Sequence, residues 1–503
     1  MTLAVPAGTP PLGLRTRLSY GFGSVAFGTA YAGLSGAVLQ IYLNQVLGMP
    51  AILVGTAIMV SLMADAVVDP LIGQWSDKSR TRWGRRHPFM YAAAAPAALF
   101  FFLLWNAPHG LGGRGLVIFT LAMMVLVRLS VSLYEINSNA LTPELTPDYD
   151  QRTSLQSYRW FFGIVGGTAI SLVLNLVFLK TSAHNHLGIL NREGYAHFGA
   201  LGAVVIFISI LLSALGTQAR IAFLPRPAPR TGPIVRAFGE IRSTLLNRSL
   251  ISLMLGGILG GVGAGVTNGL SIYFYTHFWD LGPSQFGLLV PMGALGSILA
   301  VFIAPPLARR FGKKRAMIGL FSVSVVTAAG PMFLRLMGLM VANGSPWLMP
   351  ILIADGVVTA TVAVVGYILI GSMMADIVED AAVKTGVRSE GLVYAVSGLL
   401  PKFTGGIGAF IAGLLLTLVH FPAHAMKGTV DPQLMRHLAI IYLPMSASFS
   451  IVSIAVLGLY RIDRATHERN LETLREAAAT ALETHGLEAI EVGDAAAPVT
   501  RMY

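Results

Sequence analysis

The chain has 503 residues, of which 54% are hydrophobic, only 12% charged and none cysteine. A soluble domain carries about 25% charged residues, so this composition excludes an ordinary soluble enzyme, and the missing cysteines exclude disulfides and thiolate metal sites. The formal net charge of +11 would suit nucleic acid, but the basic residues cluster in short loops between apolar stretches, which is the positive-inside pattern of a membrane protein.

Met1 to Leu14 are rich in Pro and Gly and show no cleavage-site pattern, so the first apolar span is expected to act as the insertion signal. Spanning helices need about 20 mostly apolar residues. Twelve stretches meet that length, at roughly 19–44, 50–77, 88–107, 114–141, 158–180, 199–223, 250–278, 285–308, 316–338, 346–375, 390–418 and 437–460. Arg15, Arg17, Lys78 to Arg86, Arg152, Arg220 to Arg248, Arg309 to Arg315, Lys384, Arg388 and Arg461 to Arg475 fall on one side of this serpentine. Arg114, Lys180, Arg192, Lys427 and Arg436 are exceptions on the other. The expected topology is multi-pass in the cell (cytoplasmic or inner) membrane, with both termini cytoplasmic.

The division that follows is an N-terminus over 1–18, a six-helix half over 19–223, a basic linker over 224–249, a second six-helix half over 250–460, and a charged helix and tail over 461–503. A weak repeat supports it: Gly84-Arg85-Arg86 follows span 2, and Arg309-Arg310-Phe311-Gly312-Lys313-Lys314-Arg315 follows span 8. Two halves of six helices indicate an all-α major facilitator fold, with the substrate site between halves near the midplane. No P-loop pattern supports ATP-driven transport.

Span 2 carries the most informative residues. Asp65 and Asp69 are four apart on one helical face, and Pro70 frees a backbone carbonyl one turn earlier. Acids inside a span are costly and mark an ion or substrate pathway. Two carboxylates with nearby carbonyl oxygen suit Na⁺, or a proton carried by the acids; a structural ion pair with a base on another helix is the alternative. Span 4 adds a polar stripe, Arg128, Ser132, Glu135 and Asn139. Ser132 and Glu135 offer oxygen ligands to complete the site, and Arg128 either neutralises an acid or contacts an anionic substrate. Arg159 opens span 5, where snorkelling is the default expectation. Lys402, over a third of the way into span 11, needs a carboxylate or a substrate. Asp77 with Arg85 and Arg86, and Asp376 with Glu379, Asp380, Lys384 and Arg388, form charge networks at the basic ends. They are read as gates or as topology signals.

Asp65-x-x-x-Asp69-Pro70-x-x-Gly73, followed by Ser76-Asp77-Lys78-Ser79-Arg80-x-Arg82-x-Gly84-Arg85-Arg86-x-Pro88, resembles the glycoside–pentoside–hexuronide:cation symporter family. So do the Leu141 to Arg159 segment, the Asp376 to Gly391 segment with Lys402, and Arg17-Leu18-Ser19-Tyr20-Gly21. The resemblance spans both halves. It implies a sodium site at Asp65, Asp69, Ser132 and Glu135, and a central cavity holding Arg159 and Lys402. Two departures stand out: the helix 1 aspartate that holds the sugar in that family is Gly28 here, and the helix 4 tryptophan that stacks on it is Asn139.

The function expected is cation-coupled symport of a small organic substrate by alternating access, with Na⁺ as coupling ion or H⁺ in its place. The substrate read first is a sugar, glycoside or hexuronide; a lysolipid-like amphiphile or other organic anion is the alternative, and a non-transporting receptor ranks third. The cation is assigned to Asp65, Asp69, Ser132 and Glu135, with Na⁺ as the metal at the two aspartates. The substrate cavity is assigned to Arg128, Glu135, Asn139, Arg159 and Lys402. No catalytic residue, cofactor or nucleic-acid partner is expected; the partners are the substrate, the cation and the bilayer, and the chain is expected to act as a monomer.

Overall fold

The computed structural model describes residues 12–79, 81–146, 149–181, 188–221, 248–385, 390–426 and 428–462, with short helical pieces between 466 and 476. Among the described residues no β-strand forms, and the one β-bridge pairs Thr81 with Gly84 in a loop. Eleven helices are long and apolar enough to span a membrane, and a bent pair makes a twelfth. In chain order they are α1 (Leu14–Leu34 with Ala37–Val46), α2 (Ala51–Lys78), α3 (His87–Trp105), α4 (Gly113–Leu145), α5 (Ser154–Phe178) and α6 (Arg192–Gln218). The second set is α7 (Arg248–Phe278), α8 (Pro283–Phe311), α9 (Lys313–Leu336), α10 (Leu348–Thr385), α11 (Glu390–Leu418) and α12 (Pro432–Leu457). Most of the expected linker and tail lies outside the described residues.

Local chemistry accounts for the breaks. α1 bends by 42° where Ser35 leaves the helical region for an extended conformation, ahead of Gly36. α1, α5 and α7 each end in a π-helical turn, at Tyr42–Val46, Leu174–Phe178 and Phe274–Phe278, a local widening that often marks functional positions. α4 has 33 residues, a length of about 50 Å against a hydrocarbon core of about 30 Å. Its last turns therefore reach past the apolar layer and carry Glu144 to the α2–α3 loop.

The two sets of helices repeat one plan. Gly84 and Gly312, in the α2–α3 and α8–α9 loops, both adopt a left-handed backbone with φ of 75° and 76°, a region glycine enters without a Cβ clash. Each loop then docks a base on an acid of its own half. Arg85 and Arg86 meet Glu144 at 2.7 and 3.1 Å, and Arg86 also meets Asp77 at 2.5 Å. In the second half Lys313 holds Asp376 at 2.6 Å. Arg388 lies outside the described residues, as does the Lys384 side chain.

Bonds between halves gather away from this basic face. The Tyr273 hydroxyl donates to Asn44 Oδ1 at 2.8 Å, joining the π turn of α1 to α7 just ahead of its own. The α11–α12 loop folds over the end of α1: Ala425 N donates to Gln45 Oε1 at 2.7 Å, Gln45 Nε2 donates to the Pro422 carbonyl at 3.1 Å, and His424 Nδ1 lies 2.8 Å from the Gln45 carbonyl. From there α2 and α11 run together in close contact. A Cβ on Gly55 would lie 2.6 Å from the Ala409 carbonyl oxygen, so only glycine permits this approach.

Candidate cation and substrate site

Where α2 and α11 cross at the inner end of that seam, Lys402 faces the two aspartates. Its Nζ lies 2.7 Å from Asp65 Oδ2 and also donates to Asp69 Oδ2. One ammonium on the second half is thus shared by two carboxylates on the first. Asp65 is 7% and Asp69 24% exposed. Their i, i+4 spacing on one helix places both acids on the face that meets α11, and the apolar surroundings raise the worth of their pairing.

Ser132, from α4, donates its hydroxyl to Asp65 Oδ1 at 2.7 Å. Asp69 Oδ1 is buried with no hydrogen-bond partner. Asp65, Asp69 and Ser132 therefore stand together, and the free Asp69 oxygen is an acceptor of the kind a hard cation or a proton uses. The Lys402 ammonium occupies the position between the two acids.

Glu135 is placed differently from the expected cation ligand. Its Oε1 accepts from Arg159 Nη2, and from Asn139 Nδ2 at 3.1 Å, while Oε2 is buried without a partner. Among the described residues no group of three His, Cys, Asp or Glu side chains that could hold a metal ion forms, and the hydrogen bonds of Glu135 run to Arg159 and Asn139. Arg159 is buried at 5% exposure. It donates to Ser138 Oγ at 2.5 Å and lies over the Tyr20 ring, 5.4 Å from its centroid. The start of α1, through Tyr20, packs over this guanidinium, which keeps it from snorkelling to the surface.

Arg128 donates to Ser61 Oγ at 3.1 Å and to the Leu34 carbonyl at 3.3 Å. Among the described residues it has no carboxylate within ion-pair distance, although Asp65 acts on it through space. Tyr31 on the first half lies within electrostatic reach of Arg128 and of Tyr367 on the second half. Each of these two rings is 66% exposed. Phe27 stacks beside Tyr31, with centroids 6.1 Å apart.

The position of the missing helix 1 acid is closed by packing. A Cβ on Gly28 would lie 2.1 Å from the Gly163 carbonyl oxygen, so α1 and α5 leave no room for a side chain there.

Sequence reasoning passed over several residues that complete the site. Ser61 precedes Asp65 by four positions, so the stripe Ser61, Asp65, Asp69 was available from spacing alone. Tyr20 and Ser138 had no such signal, because what places them beside Arg159 is the packing of α1 on α4 and α5. Asn44 and Gln45, polar residues at the end of an apolar span, were a readable but unread sign of the seal between halves. Lys313 takes Asp376, a pairing across two helices that no local pattern announces.

The family model described as MFS/sugar transport protein matches residues 19–464. An uncharacterized symporter of Synechocystis sp. is 28% identical over 90% of this chain and 95% of its own length. The isoprimeverose transporter of Lactiplantibacillus pentosus is 26% identical over 89% of this chain and 88% of its own. Among solved structures, the inward-open xylose transporter XylE from E. coli superposes with a TM-score of 0.58 at 16% identity, covering 91% of this chain and 98% of that one. The nucleoside transporter NupG gives 0.58 at 14% identity, covering 88% and 98%. These last two likenesses establish the fold. The chain belongs to the MFS/sugar transport protein family and is a multi-pass membrane transporter of the major facilitator fold, not an enzyme.

Proposed function

We propose that this transporter is a symporter that couples entry of a sugar or glycoside to a monovalent cation, Na⁺ in the first instance, bound at Asp65 and Asp69 with Ser132. The observation that carries the reading is the single ammonium of Lys402 shared between the two aspartates across the halves. A cation that takes the carboxylates displaces this tethered charge. The link between α2 and α11 is then released, and Lys402 is free to face the substrate. Cation and substrate each favour the other's bound state because both act on the same pair, and such coupling is reciprocal. The basic face is read as cytoplasmic, and the seal at the Asn44–Tyr273 end as the closed outer gate, which makes this an inward-facing arrangement.

The exposed Tyr31 and Phe27 rings supply an apolar platform of the kind a pyranose stacks on, and Asn139 beside Glu135 supplies hydrogen-bonding groups. An anionic sugar such as a hexuronide is a second reading, favoured by Arg128. That buried guanidinium has only neutral hydrogen-bond partners in the described residues, and a buried charge calls for a counter-charge. Uptake of labelled neutral glycosides and uronates into proteoliposomes, under an imposed Na⁺ gradient and separately under an imposed proton gradient, tests the proposal. Accumulation driven by neither gradient sinks the coupling, and equal handling of uronates by wild type and Arg128→Gln removes the anionic reading.

A further inference from the structure

A groove of about 800 Å³ opens on the basic face, far from the central site, between the first turns of α7, the start of α9 and the end of α12. Three cations line it, Arg248, Lys314 and Arg461, with no acid among its described lining residues. Lys314 Nζ donates to the Gly458 carbonyl at 2.7 Å, which fixes the ammonium over the end of α12 and leaves two of its protons free.

Below this cationic lip the lining turns apolar. Ile251 and Leu255, one and two turns into α7 from Arg248, are 37% and 47% exposed, and Leu459 beside the lip is 67% exposed. A site with positive charge at the water boundary and open apolar side chains beneath it matches an amphiphile: an anionic head group above, acyl chain below. Free phosphate has no use for the apolar part. The chain's own linker is a poor occupant, because residues 222–247 carry four Arg and one Glu, the same sign as the groove. We infer that this groove binds an anionic phospholipid of the leaflet on the basic face, its phosphate held by Arg248, Lys314 and Arg461. Basic pockets between spanning helices favour such head groups, at about 1 kcal/mol per basic side chain. The site ties the starts of α7 and α9 to the end of α12 at one end of the second half, with Lys314 next to the Lys313–Asp376 pair.

The test uses the full chain in detergent, titrated with dioleoylphosphatidylglycerol, dioleoylphosphatidylcholine or sodium phosphate. Bound lipid is counted by native mass spectrometry and stability is followed by thermal unfolding. One phosphatidylglycerol should be retained in strong preference to phosphatidylcholine, and phosphate alone should not reproduce its thermal shift. Arg248→Gln with Arg461→Gln should weaken retention by about fivefold per removed charge, whereas Arg248→Lys with Arg461→Lys should keep it, which separates a lost site from a misfolded protein. Equal retention of the two lipids, or full retention by the Gln pair, overturns the inference. A shift given by phosphate alone would make it a free-anion site instead. Residues 477–503 carry four acids and one base; a several-fold rise in lipid binding when Glu483, Glu488, Glu491 and Asp494 are neutralised would make this segment the occupant and also overturn it.

Discussion

Replacing Lys402 with Met keeps the length of the side chain and removes the tethered cation. At 2.7 Å from Asp65 Oδ2, the ammonium gains about 6 kcal/mol of gross attraction at an effective dielectric of about 20. Most of this is offset by the loss of hydration on both sides. What remains for a charge-assisted hydrogen bond is about 1.5–3 kcal/mol, and none of the three side chains is more than 24% exposed, so solvent screening is modest. An incoming cation must overcome that remainder before it can bind the acids. Lys402→Met should therefore bind the coupling cation about 10- to 100-fold more tightly than wild type. It should also lose the stimulation of substrate binding by the cation, because the shared element is gone. Tryptophan fluorescence or calorimetric titration with NaCl at constant ionic strength reads the first effect, and substrate affinity with and without Na⁺ reads the second. Weaker or unchanged cation binding in Lys402→Met would refute the competition and make the lysine a structural partner of the acids.

Asp65→Asn and Asp69→Asn each remove one carboxylate from the pair and should lower cation-stimulated uptake by at least about tenfold while leaving the protein folded; full gradient-dependent uptake by either variant excludes that residue from the site. Gln40 is buried at 0% exposure and both its side-chain polar atoms lack partners, at the packing of α1 on α7. Gln40→Leu should favour this closed outer seal by about 1–3 kcal/mol, the cost of an unsatisfied buried polar group. Spin-label distances between introduced cysteines would show the shift against a background with no native cysteine, and an unchanged distance distribution would count against it. Restoring an acid with Gly28→Asp should lower thermal stability by about 1–3 kcal/mol or more, since its Cβ would meet the Gly163 carbonyl at 2.1 Å; an unaltered unfolding temperature would mean that α1 and α5 part easily.

Much of the architecture was readable because a membrane imposes strong rules. Twelve apolar stretches give the spans, and the weak Gly84/Gly312 echo between halves corresponds to a positive-φ glycine in each connection. The pairing of Asp65 with Asp69 followed from helical spacing, and the need of Lys402 for a carboxylate or a substrate followed from its depth. That these are the same three residues did not follow, because the register of α2 against α11 is set by glycine contacts such as Gly55 with Ala409, which no one-dimensional pattern encodes. Glu135 lies on the same stripe as Ser132, three residues apart. The two nevertheless turn to different neighbours, Ser132 to Asp65 and Glu135 to Arg159. Spacing identified the polar face of α4 but not the partners around it. The basic-end networks were legible as charge. Their closure within each half, Arg86 on Glu144 and Lys313 on Asp376, depended on the lengths of α4 and α10 and on where their ends fall.

Coupling is the central claim, and a single measurement meets it most directly. Reconstituted protein is given a labelled glycoside under an inward Na⁺ gradient, with pH equal on both sides, and the same experiment is run with Asp69→Asn. Accumulation above equilibrium by wild type, collapsing to equilibration or less in the variant, is the predicted result. Accumulation that persists in Asp69→Asn, or glycoside movement in wild type that ignores both the Na⁺ gradient and a matched proton gradient, would contradict the account.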